Sequence, residues 1–148
     1  MSMTDEERAT LVTLELKKAH ETFEEIGILT AANRWSGAAN RLYYSVFHAI
    51  NALLLHDGHS VNTHNGSHAF FHLHYIKAGI LPVEYGHLYN QLQTMREESD
   101  YNCVYDVNPD ELKDRIEPAQ NLIKKIEALI YDKQYIINYQ LTNMPMSK

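Results

Sequence analysis

Arginines and histidines that share a helical face are the residues of this chain best suited to act on a phosphodiester. In "NRLYYSVFHAI", residues 40–50, Arg41 and His48 stand seven apart within an apolar helical stretch. That spacing is nearly two turns, so both side chains leave one face, about 10 Å apart along the axis. A second set is "REESDY", residues 96–101, where Asp100 lies one turn beyond Arg96 and Tyr101 follows. A third candidate is His64 in "THNG", just before a helix start whose free backbone N–H groups suit an anion.

Cutting RNA without a metal takes a base for the ribose 2′-OH, an acid for the leaving oxygen and a cation for the crowded phosphorane. Histidine suits the first two roles because it titrates near neutrality. Arginine suits the third, its planar fork matching phosphate oxygens. Asp100, at i+4, either orients Arg96 or forms an ordinary helical ion pair with it.

Helices must position these groups. No stretch alternates with a period of two; helical periodicity dominates, punctuated by glycine and proline. A first helix opens at Thr4, with Glu7 in capping-box spacing, and runs to about Ile28 with Leu11, Leu14, Ala19, Phe23 and Ile26 along one side. A second starts near Ser36 and ends before Gly58. Its core face is Tyr43, Val46, Phe47, Ile50, Leu53 and Leu54. Arg41, Ser45, His48 and Ala52 form the opposite stripe, flanked by Tyr44, Asn51 and Leu55, and fit for a dimer contact or a ligand groove.

A third helix is expected over about 66–78, ending at Gly79, and a fourth over about 82–100 with Pro82 in its first turn. The last begins after Asn108, with Pro109 at N1 and Glu111 at N3, reaches about Tyr135, and should kink near Ile116–Glu117 because of Pro118. The expected fold is all-α, an antiparallel up-and-down bundle of about five helices. It forms a single domain over 1–139 with a polar tail over 140–148.

Charge limits the partners. At a net −6 the surface as a whole does not attract nucleic acid, so RNA or a nucleotide must be met by a local patch or pocket. No run is apolar enough for a membrane span. The N-terminus reads as no secretory signal, and the single Cys103 forms no internal disulfide, which places the protein in the cytoplasm with no membrane partner. Of nine histidines, six (His56, His59, His64, His68, His72 and His74) fall between 56 and 74. His68 and His72 share one face, with His64 a turn earlier, so a His-rich metal-binding bundle stands as an alternative. The window holds Asp57 but no cysteine and no His-Glu-x-x-His, and the preferred reading has no metal and no cofactor.

Four blocks in order, "NRLYYSVFHAINALLLHDG", "THNG", "YIKAGILP" and "REESDYN", closely resemble a HEPN domain, and more narrowly the small stand-alone prokaryotic HEPN proteins. The resemblance covers about residues 10–130. It implies a bundle of four or five helices assembled as a homodimer that binds nucleotides or RNA. It also implies a toxin–antitoxin or defence-type system, in which a separate nucleotidyltransferase chain is the partner. Active members carry an Arg-x(4–6)-His motif and act as metal-independent ribonucleases. By position that motif falls on Arg96 to Tyr101, so tyrosine stands where the family has histidine; Arg41 to His48 fits the motif literally. A phenol titrating near 10 is a poor base at neutral pH but can donate to phosphate or stack on a nucleobase. The resemblance also makes Tyr101 a candidate for modification by the partner. The site candidates are therefore Arg96, Tyr101 and His48 for catalysis, and Arg41, His64 and Asp100 for ligand binding.

Overall fold

A computed structural model describes residues 3–59 and 63–132. These residues hold five α-helices and no strand: α1 Asp5–Ala31, α2 Trp35–His56, α3 His64–Phe71, α4 Val83–Tyr101 and α5 Pro109–Tyr131. No helix among them is long and apolar enough to cross a membrane. The expected end of the last helix at Tyr135, and the tail over 140–148, lie outside the described residues.

Local chemistry accounts for most helix ends. Thr4 caps α1, its hydroxyl accepting from the Glu7 N–H at 3.0 Å. Asn108 caps α5, accepting from the Asp110 and Glu111 N–H groups, with Pro109 in the first turn. Pro118 lies inside α5, which runs on past it to Tyr131. Gly58 after α2 and Gly79 before α4 both take positive φ, the left-handed conformation that glycine reaches without a Cβ penalty. Pro82, expected inside the first turn of α4, sits one residue earlier as its N-cap.

The expected helix over 66–78 starts at His64, two residues earlier, because Thr63 caps it by accepting from the Gly66 N–H at 2.9 Å. Nor does it continue as α-helix. Residues His72–Ile76 form a π turn, in which the Lys77 N–H reaches the His72 carbonyl at 2.8 Å.

α2 is the centre of the bundle, packed against α1, α4 and α5. The stripe expected to serve a dimer contact or a ligand groove is therefore corrected in part: Ser45 and Ala52 are completely buried within the bundle, while Arg41 and His48 are half-buried. The reason is size. Ala38, Ala39, Ser45, Ala49 and Ala52 let neighbouring helices approach on sides that larger residues would hold apart. The side expected for α1 is corrected in its first half alone, since Ala19 and Ile26 are buried and Phe23 packs against the core as expected. Val12, Leu16, Ala19, Thr22 and Ile26 face the core, while Leu11 and Leu14 are exposed. This register sets Glu15 against His48 (2.9 Å) and Glu25 against Arg41 (3.7 Å), a pairing that runs α1 antiparallel to α2.

Candidate functional site: an arginine in a tyrosine cup

Arg96 projects from the inner side of α4 and is only 7% exposed, an expensive place for a permanent charge. Aromatic faces make up much of that cost. Its guanidinium carbon lies 4.8 Å from the ring centre of Tyr43, 5.6 Å from that of Tyr44 and 5.9 Å from that of Tyr101. Burial works against the charge, but Tyr44, Tyr43 and Tyr101 outweigh it, and its pKa lies above the ordinary arginine value. The nearest carboxylate contact is Asp100 Oδ2, at 3.7 Å from Nη1, longer than a hydrogen bond. Its Nε is buried and, among the described residues, has no hydrogen-bond partner.

Asp100 is itself held from α2. Asn40 Nδ2 donates to its two oxygens at 3.2 and 3.4 Å, while Asn40 Oδ1 accepts from Arg41 Nε at 3.0 Å. Arg41 also lies 5.7 Å from the Tyr44 ring centre, so Tyr44 is flanked by two guanidinium groups. Arg41, Asn40, Asp100 and Arg96 thus form one polar chain across the top of α2 and the end of α4.

His64, the first residue of α3, closes the other side of the cup. Its ring stacks on Phe47 at 4.2 Å with planes 5° apart, and its Nδ1 is 3.4 Å from the Tyr43 hydroxyl. It also meets the Tyr44 ring edge-on at 5.7 Å. Burial first, then the charges of Arg96 and His48, push its pKa below the ordinary histidine value, so its neutral form is favoured at pH 7. His48 lies 6.3 Å from Tyr44, ring centre to ring centre, and donates from Nδ1 to Glu15 Oε2 at 2.9 Å. The second-helix pair and the fourth-helix arginine, separate in the sequence, meet on the ring of Tyr44.

Comparison with known proteins bears on the same region. The HEPN domain family model matches residues 12–129, which include every residue of the cup. The chain belongs to the HEPN domain family. It is 31% identical over 126 residues to a Thermotoga maritima protein named as a UPF0332 protein, covering 85% of this chain and 96% of that one. Two Methanocaldococcus jannaschii proteins, each named a "putative toxin", are also similar. One is 24% identical over 121 residues, covering 82% of both chains; the other is 29% identical over 112 residues, covering 76% of this chain and 78% of its own.

In this HEPN chain Tyr101 stands at the rim of the cup, 78% exposed, with its ring open to a stacking partner. Sequence reasoning did not single out Asn40. Its place at the head of the "NRLYYSVFHAINALLLHDG" block, directly before Arg41, was the signal available, and its role as the clasp between Asp100 and Arg41 depends on α2 lying beside α4.

The His-rich segment divides into separate pairs. His68 and His72 stack on each other at 4.5 Å, and His72 Nε2 donates to Asn90 Oδ1 at 3.1 Å. His59 and His74 form another stack at 5.1 Å, and His56 bonds Asp57. Among the described residues no three His, Cys, Asp or Glu side chains come together as a metal ion requires. His64, the third imidazole of the expected metal face, is stacked on Phe47 instead. Cys103 is exposed in the loop after α4.

Proposed function

We propose that this HEPN protein binds RNA or a nucleotide as a homodimer, and belongs to a cytoplasmic toxin–antitoxin or defence-type pair whose other component is a separate nucleotidyltransferase chain. The observation that carries the reading is the state of Arg96. It is a desolvated cation with an unpartnered Nε, held by aromatic faces and set beside exposed Tyr101. Such a group gains more from a phosphate than a solvated arginine does, because its own water is already lost. Exposed Tyr101 offers a ring for a base, and Arg41 a second cation at the same mouth. A compact site of this kind suits a chain whose net charge is −6. The names of the two M. jannaschii relatives support the toxin assignment.

A second reading, metal-independent endoribonuclease, is favoured by one feature: although position 101 holds tyrosine, His64 borders the Tyr43 and Tyr44 rings that carry Arg96, and His48 borders that of Tyr44. Arg96 then stabilises the phosphorane, the histidines move protons, and Tyr101 donates to or stacks on the substrate.

The binding reading is tested by fluorescence anisotropy of a labelled short single-stranded RNA. Wild type binds, and Arg96→Met weakens binding by about tenfold or more, the loss expected for a charge-assisted phosphate contact. Equal affinity in Arg96→Met would move the site away from α4.

A further inference from the structure

We infer that His64 is the proton-accepting residue of this site, supplying from α3 the imidazole that the Arg-x4-Tyr segment lacks, and that Tyr43 is its positioning residue. The inference rests on the ribonuclease reading above and assigns its chemistry to atoms.

Three observations carry it. The Phe47 stack, at 4.2 Å and 5°, fixes the plane of the His64 ring. The Tyr43 hydroxyl, 3.4 Å from Nδ1, fixes its rotation and leaves Nε2, on the far side of the ring, for a substrate. Tyr43 and Tyr44, which contact His64, also carry the Arg96 guanidinium, so the imidazole and the cation border one space. A base held by an orienting group beside an oxyanion-stabilising cation is the arrangement that acyl- and phosphoryl-transfer sites share. His48 also has an oriented ring, its Nδ1 engaged by Glu15, but of the two rings that carry the Arg96 guanidinium it touches that of Tyr44, whereas His64 touches both. His64 is exposed at the start of its helix, within reach of a bound strand.

In the reactive tautomer Nδ1–H donates to the Tyr43 oxygen and Nε2 carries the lone pair. Nε2 takes the proton of a ribose 2′-OH as the 2′-oxygen attacks phosphorus. The 2′-O–P bond forms and the P–O5′ bond breaks, Arg96 meeting the charge on the non-bridging oxygens. The leaving 5′-oxygen takes a proton from water, and the imidazolium returns its proton to the hydroxide so formed. The products are a 2′,3′-cyclic phosphate and a 5′-hydroxyl, with no net change in the protein.

The charged and titratable groups facing His64 are Arg96 from α4, His48, Tyr43 and Tyr44 from α2, and, through His48, Glu15 from α1. Arg96 keeps its charge throughout, so the acid limb of the rate profile belongs to the imidazoles.

The test is steady-state cleavage of a labelled single-stranded RNA by the full chain in excess EDTA, with circular dichroism confirming each variant's fold. His64→Gln lowers kcat by about a hundredfold or more, the range for loss of a general base, with KM within a few-fold. Tyr43→Phe keeps the ring beneath Arg96 but lowers kcat by about tenfold and moves the acid limb. Imidazole restores part of the rate to His64→Ala. Wild-type rates in His64→Gln, with Arg96→Met inactive, would overturn the assignment and leave the ribonuclease standing. RNA bound but not cut by wild type would overturn the ribonuclease reading and this inference together, leaving the binding site.

Discussion

The guanidinium carbon of Arg96, on α4, lies 4.8 Å from the centre of the Tyr43 ring, on α2. Tyr43 is completely buried and stacks on Tyr89 with planes 6° apart, so the surface beneath the arginine is rigid. Desolvation of that charge is offset by the neighbouring tyrosines, Tyr101 through a hydrogen bond as well as its ring, and by one long ion pair, a weak basis for keeping an arginine on grounds of stability.

A separation of stability from binding follows. Arg96→Met fills the space with an apolar chain of similar length, and exchanging buried charge for packed hydrophobe is often neutral or stabilising. The expected thermal midpoint therefore stays within a few degrees of wild type, or rises, while RNA affinity falls. A large drop in the midpoint, measured by circular dichroism, would make Arg96 a structural residue instead.

Stability should fall in mild acid. His59, His64 and His68 all titrate below the ordinary 6.5, each because of burial first, with His74, Arg96 and His72 respectively adding repulsion. The unfolded chain therefore binds more protons than the folded one between the lowered values and 6.5, and unfolding free energy rises with pH across that window. The stabilisation is complete above 6.5 and is lost as pH drops through the window. Urea midpoints at about pH 7.5 and about pH 5.5 check this; an equal or higher midpoint at the lower pH would contradict it.

Gly86 marks where α4 rests on the π turn. A Cβ there would lie 3.1 Å from His72 Cε1 and 3.2 Å from Ile76 Cγ2. His72 cannot easily retreat, being stacked on His68 and bonded to Asn90. Alanine gains about 1 kcal/mol in helix propensity, but overpacking typically costs ~1–3 kcal/mol. We expect Gly86→Ala to lose about 1 kcal/mol by urea denaturation; a stabilised variant would show that the contact yields.

The helices were legible in the sequence because their signals are local. Thr4, Asn108, Gly58 and Gly79 each do at the chain level what their side chains, or lack of one, dictate. The register of α1 was not, since Leu11 and Leu14 follow the helical period as well as Val12 and Leu16 do. Only the pairing of Glu15 and Glu25 with α2 selects between them. The π turn packs against α4, a contact that no spacing within α3 encodes. The site behaves likewise. Arg96, Asp100, Arg41, His48 and His64 stood out by type, but their convergence and the clasp of Asn40 arise from α2 lying between α1, α3 and α4.

The most direct test of the Arg96 site is the Nε–Hε resonance of Arg96 in 15N-arginine-labelled protein, followed by NMR during titration with single-stranded RNA. If Arg96 receives the phosphate, its resonance moves and saturates with the affinity measured by anisotropy, while that of Arg115, hydrogen-bonded from Nε to Gln91, stays in place. RNA binding that leaves the Arg96 resonance unmoved would contradict the account.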